Sequence, residues 1–273
     1  MPKQRLDTLL AERGLFASRS RAAASVMAGE VSVGPDGRRA AKPGEQVASD
    51  AHIRVRERPS FVSRGGVKLA NALAATDLPV TGRRALDVGA STGGFTDCLL
   101  QNGALEVIAV DVGYGDLDYR LRTDPRVIPL ERTNARSLTP EMLPAVPGGR
   151  DALPDLAVID VSFISLRKVL PAVLGCLAER HDVLALVKPQ FEVGRGRVGK
   201  GGVVRAPEDR RAALVDVGTM AFELGAAVLG FHSSGLPGPK GNLETFLWLA
   251  ESGRPGGTTD VEEIERLARE VEP

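Results

Sequence analysis

The sequence predicts an α/β fold: a doubly wound, mainly parallel sheet with an antiparallel last strand, preceded by a small α+β module. From residue 84 onward, strand-like apolar runs alternate with helical stretches, as in sheets covered by helices on both faces. Before that point, two helical stretches are followed by short β-branched pieces. With 273 residues and 43% hydrophobic content, the chain has room for one large core and one smaller module.

The N-terminal module is predicted over residues 1–58. Apolar residues recur at helical spacing from residue 5 to about residue 28, with a break at Gly14 and a second helix that starts at Ser18 or Ser20 as its cap. The pieces "GEVSVG" and "HIRVRE" follow, separated by turns rich in Gly, Pro and Asp, which is typical of short strands. The pattern therefore indicates two helices on a small sheet.

The charge distribution draws attention to the same module. The formal net charge is zero, with 35 basic and 35 acidic residues, so the total gives no sign of a nucleic-acid partner. Lys and Arg nevertheless outnumber Asp and Glu in the first 68 residues. Arg19 and Arg21 stand at the predicted start of the second helix, where guanidinium groups and free backbone N–H groups can contact phosphates. On charge alone, an ordinary solvated helix face explains these arginines equally well.

Composition disfavours several other classes of protein. Cys98, Cys176 and the three histidines are scattered along the chain, so we expect neither a disulfide framework nor a metal site. No uncharged apolar run approaches the roughly 18–20 residues that a membrane span needs, and no apolar signal core opens the chain. We therefore expect a cytoplasmic protein without a membrane partner, and the composition leaves its oligomeric state open.

The larger domain is predicted over residues 64–253, after a linker at residues 59–63. Its strands are, in order, "RALDVG", "EVIAVD", "RVIPLE", "LAVIDVSF", "DVLALVKP", "AAVLGF" and "LETFLWL". Helices are expected in "VSRGGVKLANALAATDLPV" and near residues 93–102, 138–144, 166–179 and 207–224. Turn residues without a helix separate the last two strands, which predicts a hairpin and hence the antiparallel last strand. Residues 254–273 are predicted to form a tail, with a loop and an exposed terminal helix.

The stretch "LDVGASTGGFTD", residues 86–97, forms the first strand-to-helix turn, where sheets of this type bind ligands. A dinucleotide fingerprint starting at Gly89 would need glycine where the chain has Ser91, which disfavours an NAD(P) pyrophosphate. Asp111 ends the next strand about twenty residues on, where a carboxylate can bind a ribose diol. Together these features favour S-adenosylmethionine. The alternative is that the glycines only allow helix and strand to pack closely.

Longer motifs make the chain similar to a known family. The segments "RLDTLLAERGLFASRSRAAASVMAGEVSVG" and "KPGEQV" resemble the S4 RNA-binding domain over about residues 3–58. Over about residues 3–250 the chain resembles the TlyA family of ribosomal RNA 2′-O-methyltransferases, through "SRGGVKL", "LDVGASTGGFTDCLL", "VDVGYGDLDYRLRTDPRV", "ERTNAR", "DVSFISLRKVLP", "LVKPQFEVGRGRVGKGGVVR" and "GNLETFLWL".

This resemblance implies an S4 domain joined to a Rossmann-like class I methyltransferase domain of the FtsJ type. It also implies S-adenosylmethionine as cofactor and ribosomal RNA or ribosomal subunits as partner. Members of the family modify cytidines in 16S and 23S rRNA, and the label hemolysin is sometimes attached to them.

The resemblance also implies site residues. The catalytic tetrad of the FtsJ type falls on Lys68, Asp160, Lys188 and Glu244. The methyl donor would lie on Gly89, Ala90, Ser91, Thr92, Gly93 and Gly94, with Asp111 at its ribose and Asn134 at its adenine. RNA would be bound by Arg5, Arg19, Arg21, Arg64, Arg195, Arg197 and Lys200.

Within the tetrad, Lys188 is the predicted base for the ribose hydroxyl, while Asp160 and Glu244 orient the amines and the ribose. Asp160 and Lys188 end nearly apolar strand runs, at the edge where such sheets build their sites. The alternative for these two is a structural ion pair. Without the resemblance, Lys68 and Glu244 would be expected on the surface.

Residues 194–205, "GRGRVGKGGVVR", are expected to form an exposed mobile loop that closes over RNA backbone. A linker without function is the alternative. Because aromatic residues make up 4% of the chain, RNA recognition is expected to rest on phosphate contacts and shape. Three other functions stay open at this point: an NAD(P)-linked oxidoreductase, an inactive RNA-binding or assembly factor, and a membrane-active protein.

Overall fold

The computed structural model describes residues 2–56, 60–145, 153–258 and 260–272. The chain divides into two compact units, residues 1–59 and residues 60–273. Each unit has its own hydrophobic core.

The described part of the N-terminal unit contains two helices and five short strands. In chain order they are β1 (Lys3–Arg5), α1 (Leu6–Glu12), α2 (Arg19–Met27), β2 (Val31–Val33), β3 (Arg38–Arg39), β4 (Gln46–Ala48) and β5 (Ile53–Val55). β1 pairs with β4, and β2 lies between β3 and β5, with every pair antiparallel. Ser18 caps α2, because its Oγ accepts a hydrogen bond from the Arg21 backbone N–H at 3.2 Å.

The larger unit is built on a seven-stranded sheet. Its elements are α3 (Arg64–Thr76), β6 (Arg84–Val88), α4 (Gly94–Gln101), β7 (Glu106–Val110), α5 (Tyr119–Arg122), β8 (Val127–Leu130), β9 (Leu156–Ile159), α6 (Leu170–Leu174), β10 (Asp182–Val187), α7 (Pro189–Glu192), α8 (Pro207–Glu223), β11 (Ala227–Ser233), β12 (Thr245–Ala250) and α9 (Val261–Val271). The strand order is β11-β12-β10-β9-β6-β7-β8. β12 is antiparallel to both neighbours and the other pairs are parallel, which confirms the predicted α/β fold class.

The sheet is covered on both faces. β9 and β10 are buried along their whole length, as expected for parallel strands between two helical layers. Successive strand residues point to opposite faces, and accordingly Leu86 belongs to one buried cluster and Ala85 to the other. The carboxyl ends of the parallel strands therefore meet along one edge of a rigid sheet.

Two predicted helices in this unit are shorter than expected. The stretch near 138–144 forms only a 3₁₀ turn, Pro140–Met142. Leu143, which precedes Pro144, is extended with a ψ of 139°, because a residue before proline is pushed out of the helical region. The stretch 166–179 forms a 3₁₀ turn and α6, which is capped at Gly175.

The C-terminal helix α9 differs from the exposed tail that was predicted. Ile264 and Ala268 are fully buried, and the helix packs against α8 and β11. Apolar residues at Ile264, Leu267, Ala268 and Val271 form one stripe with helical spacing. The prediction is wrong because this stripe extends the core of the sheet. Within the described part of the chain, the helices are too short or too polar to cross a bilayer.

Candidate active site

A cavity of about 720 Å³ lies at the carboxyl edge of the sheet. All four residues of the predicted tetrad line it, together with five residues of the glycine-rich turn after β6. Asp160 follows β9 and Lys188 follows β10, while Lys68 lies on α3 and Glu244 directly precedes β12. The cavity therefore sits where sheets of this class hold their ligands.

The first ion pair in the cavity joins Lys188 and Asp160. The Lys188 Nζ lies 2.6 Å from Asp160 Oδ1 and donates a hydrogen bond to Ser162 Oγ at 2.9 Å. Because β9 and β10 are adjacent parallel strands, the residues that follow them are held side by side. The amine is buried among fixed partners, yet it lines the cavity.

The second ion pair joins Lys68 and Glu244, which are separated by 176 positions in the sequence. The Lys68 ammonium donates to Glu244 Oε2, and Glu244 is only 3% exposed. Both residues are buried, whereas the sequence without the family resemblance predicted both on the surface. Gly238 makes room for the carboxylate, since a Cβ on Gly238 would lie 2.3 Å from Glu244 Oε1.

The glycine-rich turn brings backbone close to the tetrad. A Cβ on Gly89 would lie 2.7 Å from the Asp160 carbonyl oxygen, and the φ of Gly89 is +88°. Gly94 lies equally close to α3, because a Cβ on Gly94 would lie 2.9 Å from the Gly66 backbone nitrogen. Of the predicted donor-binding residues, those lining the cavity are Gly89, Ala90, Ser91, Thr92 and Gly94. Gly93 instead faces Leu117 and Leu121.

The two other residues predicted to bind S-adenosylmethionine, Asp111 and Asn134, lie outside the cavity lining. Asp111, after β7, is tied to the turn: its Oδ2 accepts from the Ser91 backbone N–H and its Oδ1 from the Gly113 N–H, both at 2.7 Å. Each carboxylate oxygen has a second lone pair for a ribose hydroxyl. Asn134 caps a 3₁₀ turn through the Arg136 N–H at 3.1 Å, so the structure gives Asn134 a local role.

Sequence reasoning missed three residues near the site. Phe163 lines the cavity, is 91% exposed and has a φ of +65°, and its ring centroid lies 5.4 Å from that of Phe191. Ser162 holds Lys188, as described above. The signal was present in "DVSF", since residues directly after a buried strand reach the ligand edge of the sheet.

Asp87, inside the quoted glycine motif, is a third missed group. It is fully buried on β6, an interior strand of the sheet, and its Oδ2 accepts a hydrogen bond from Thr96 Oγ1 at 2.6 Å. Burial raises the pKa of this carboxyl to about 7, with smaller contributions from Asp160 and Asp111. Below about pH 7 the folded protein therefore holds a proton on Asp87.

The predicted RNA-binding residues fall in several places. Arg5 and Arg19 both contact Asp7 in the N-terminal unit, and Arg21 is exposed on α2. Arg64 lines the cavity and donates to the Pro237 carbonyl at 2.9 Å.

The remaining predicted RNA contacts lie in the loop 194–205. Arg197 is paired with Asp209 at 3.6 Å, and Lys200 is exposed. The side chain of Arg195 lies outside the described residues. The far end of the loop is anchored: Asn242 donates to the Gly202 carbonyl at 2.8 Å and accepts from the Val204 N–H at 2.9 Å.

Comparison with known proteins identifies the family of the chain. A family model described as FtsJ-like methyltransferase matches residues 61–251. The chain belongs to this family. A model of the S4 domain matches residues 4–53. These matches confirm the family and the domain type that the sequence motifs predicted.

Individual relatives cover nearly the whole chain. The "16S/23S rRNA (cytidine-2'-O)-methyltransferase TlyA" of Mycobacterium tuberculosis is 52% identical over 250 residues, which is 90% of each chain. "Hemolysin A" of Brachyspira hyodysenteriae is 38% identical and covers 88% of this chain and 97% of its own length. A solved structure of a Streptococcus thermophilus protein superposes with a TM-score of 0.68 at 40% identity, covering 99% of this chain and 97% of that one.

Proposed function

We propose that this FtsJ-like methyltransferase transfers the methyl group of S-adenosylmethionine to the 2′-hydroxyl of cytidine riboses in ribosomal RNA. The observation that carries the proposal is that both lysine–acid pairs and the glycine-rich turn line one cavity. The rRNA substrate and the choice of cytidine are supported by the name of the TlyA relative at 52% identity.

The turn after β6 fits the methyl donor. Gly89 and Ala90 present backbone rather than large side chains to the cavity, and Asp111 stands beside Ser91 with lone pairs free for a ribose. When bound, S-adenosylmethionine supplies an electrophilic methyl group on a sulfonium. A dinucleotide is disfavoured because Ser91 occupies the place where a pyrophosphate needs glycine.

Lys188 is the proposed base for the ribose hydroxyl. Its Nζ reaches the cavity between Asp160 and Ser162, at 2.6 and 2.9 Å, so the position of the nitrogen is fixed before substrate arrives. The base is the neutral form of Lys188, whose amine takes the hydroxyl proton and becomes the ammonium that the neighbouring Asp160 carboxylate stabilises. Removing the hydroxyl proton makes the ribose oxygen a better nucleophile.

Lys68 is the proposed orienting group. Its ammonium is held by Glu244 and lines the same cavity, so it can donate a hydrogen bond to the ribose while Glu244 keeps it in place. Phe163 and Phe191 offer an aromatic surface beside the tetrad. Because every base has a π-face, such a surface can hold the target nucleotide by stacking.

The N-terminal unit is proposed to bind the RNA. It matches the S4 model, and its arginines Arg5, Arg19 and Arg21 expose guanidinium groups that suit phosphate oxygens. Contacts of this kind predict an affinity for RNA that falls as the salt concentration rises.

The test is methyl transfer to separately purified 30S and 50S ribosomal subunits, followed by mapping of 2′-O-methyl groups in each rRNA. We expect label at cytidines with the wild-type chain and a loss of about a hundredfold or more in Asp160→Asn. Asp216→Asn is the matched control, because Asp216 lies at the surface 3.6 Å from Arg167; it should transfer at the wild-type rate. No transfer to either subunit, or tight calorimetric binding of NADP with none of S-adenosylmethionine, would overturn the proposal.

A further inference from the structure

A buried acidic side chain lies within the proposed RNA-binding unit. Asp7 is 3% exposed and is contacted by arginines from two elements. Arg5 donates to it twice, from Nε to Oδ1 at 3.1 Å and from Nη2 to Oδ2 at 2.7 Å. The Nε of Arg19 lies 3.2 Å from the same Oδ2. One buried carboxylate thus joins a residue before α1 to the first residue of α2.

The two arginines differ from Asp7 in exposure. Their side chains are 46% and 57% exposed, so the guanidinium groups are anchored on the inside and open on the outside. A guanidinium carries five N–H donors in a rigid fork. The donors that Asp7 leaves free can therefore bind a second anion from the outer side.

The backbone keeps Asp7 and Arg5 in place. The Leu6 and Asp7 N–H groups donate to the carbonyls of Glu45 and Pro43 at 2.8 and 2.9 Å, which fastens the start of α1 to the loop before β4. Between these carbonyls, a Cβ on Gly44 would lie 2.8 Å from Arg5 Nη1. Glycine at this position lets the Arg5 guanidinium lie close to the loop.

Asp7 remains ionised throughout the useful pH range. The hydrogen bonds from Arg5, together with Arg19, lower the pKa of this carboxyl to about 2. The contacts between Asp7 and the two arginines are therefore charged hydrogen bonds, which are shorter and stronger than neutral ones.

We propose that Asp7 is a positioning residue that holds Arg5 and Arg19 as a preorganised pair for the phosphates of RNA. The proposal rests on the proposed function, because it assumes that this unit binds rRNA. An unrestrained arginine loses side-chain freedom when it binds a phosphate, and Asp7 removes that freedom in advance. The gain in affinity outweighs the repulsion between one buried acid and the RNA.

If Asp7 has this role, removing its negative charge should weaken the binding of RNA. Removing an acid from a protein that binds a polyanion normally strengthens binding, because a repulsion is lost. Asp36 is an exposed acid of the same unit, so Asp36→Asn should bind rRNA as tightly as wild type or up to about twofold more tightly. Asp7→Asn removes the same charge but should weaken binding about tenfold.

The experiment titrates the full-length chain with purified 30S and 50S subunits at several salt concentrations. Wild type, Asp7→Asn, Asp36→Asn and the Arg5→Ala/Arg19→Ala double variant are compared, the last with and without Asp7→Asn. Without the two arginines, Asp7→Asn should cause no further weakening, because Asp7 acts through them. A merely structural Asp7 would weaken binding in that background as well, and this result would overturn the proposal.

A further variant covers the case in which Asp7→Asn unfolds the unit. Arg5→Lys keeps the charge but loses the two-pronged contact, and we expect it to weaken binding about threefold; unchanged affinity would count against the role of Asp7. The same titrations separate this proposal from the proposed function. If wild type binds neither subunit, the proposed function is wrong; if wild type binds and Asp7→Asn behaves like Asp36→Asn, only the role of Asp7 is wrong.

Discussion

The two ends of the seven-stranded sheet both carry ion pairs, but the pairs are built differently. At the amino end of β10, Asp182 is buried among three donors: it accepts from Arg83 Nη1 at 2.8 Å, Trp248 Nε1 at 3.1 Å and Arg254 Nη1 at 3.2 Å. Three donors on two carboxylate oxygens leave little room for another partner. This end of the sheet is closed by its own side chains.

At the carboxyl end of the same strand, the ion pairs line the cavity. Lys188 is held by Asp160 and Ser162, and Lys68 is held by Glu244. All of these residues line the space of about 720 Å³. The amines are fixed in position but still reach a volume that a substrate can enter.

This difference shows why charged residues at strand ends do not identify an active site by themselves. Both ends combine burial with opposite charges. The alternative interpretation of Asp160 and Lys188, a purely structural ion pair, is the correct description of the network around Asp182. A fully satisfied network stabilises a fold. A pair that opens into a cavity is available for chemistry.

The comparison is tested most strongly at the open end. Lys188→Ala should reduce methyl transfer to ribosomal subunits by about a thousandfold, because general base catalysis contributes roughly 10²–10⁴ in rate. Binding of S-adenosylmethionine, measured by calorimetry, should be largely kept. The assay uses labelled methyl donor under single-turnover conditions; a wild-type rate in this variant would remove Lys188 from the base role.

At the closed end the same kind of change should affect stability instead. Asp182→Asn removes one charged partner from Arg83 and one from Arg254, while Asp155 and Glu251 stay in place. The loss of these charged hydrogen bonds should lower the free energy of unfolding of the larger unit by about 2 kcal/mol. The fluorescence of Trp248, the single tryptophan in the chain, reports the unfolding of that unit in urea. The rate of methyl transfer by the folded fraction should not change. A large loss of catalysis at unchanged stability would erase the distinction between the two ends.

Asp87 provides a third case, because it is a buried acid whose partner is the neutral Thr96 hydroxyl instead of a basic side chain. Its folded pKa of about 7 lies above the ordinary 3.8, so the folded state keeps a proton that the unfolded state releases. Stability therefore falls as pH rises from about 4 to 7. Between pH 5 and 8 the wild type should lose about 3 kcal/mol through this group.

Asp87→Asn is the variant that isolates this effect. An amide oxygen can still accept from Thr96 and carries no charge, so the variant should lack this part of the pH dependence and should exceed wild type in stability at pH 8. Urea unfolding at several pH values, followed by Trp248 fluorescence, provides the measurement. Parallel pH curves for the two proteins would refute the assignment.

The smallest effect is expected at the loop beside the open end. Asn242→Ala removes both hydrogen bonds that anchor Gly202 and Val204, so the loop must be ordered when RNA binds. The KM for ribosomal subunits should rise about tenfold with kcat little changed. Steady-state kinetics distinguish this from a catalytic role, in which kcat would fall while KM stayed the same.

Much of the larger fold follows from local sequence patterns. The five parallel strands from β6 to β10 lie within the apolar runs that predicted them, because a buried parallel strand needs a continuous apolar segment whatever its neighbours are. β11 and β12 begin within their runs and extend past them, to Ser233 and Ala250. Ser18 caps α2 for an equally local reason. One wrong prediction has a local cause, because Pro144 prevents the helix near 138–144. The other has a tertiary cause, because the apolar stripe of α9 packs against α8, which is distant in the sequence.

The features of the site also divide into those that the sequence predicted and those that depend on the tertiary structure. Motifs and strand ends placed Asp160, Lys188 and the glycine-rich turn at one edge of the sheet before any contact was known. The pairing of Lys68 with Glu244, the tie between Asp7 and two arginines, and the proton on Asp87 were decided by tertiary structure alone. Periodicity and turn chemistry act over a few neighbouring residues. Ion pairing and pKa depend on burial and on partners as far as 176 positions away, which only the packed chain brings together.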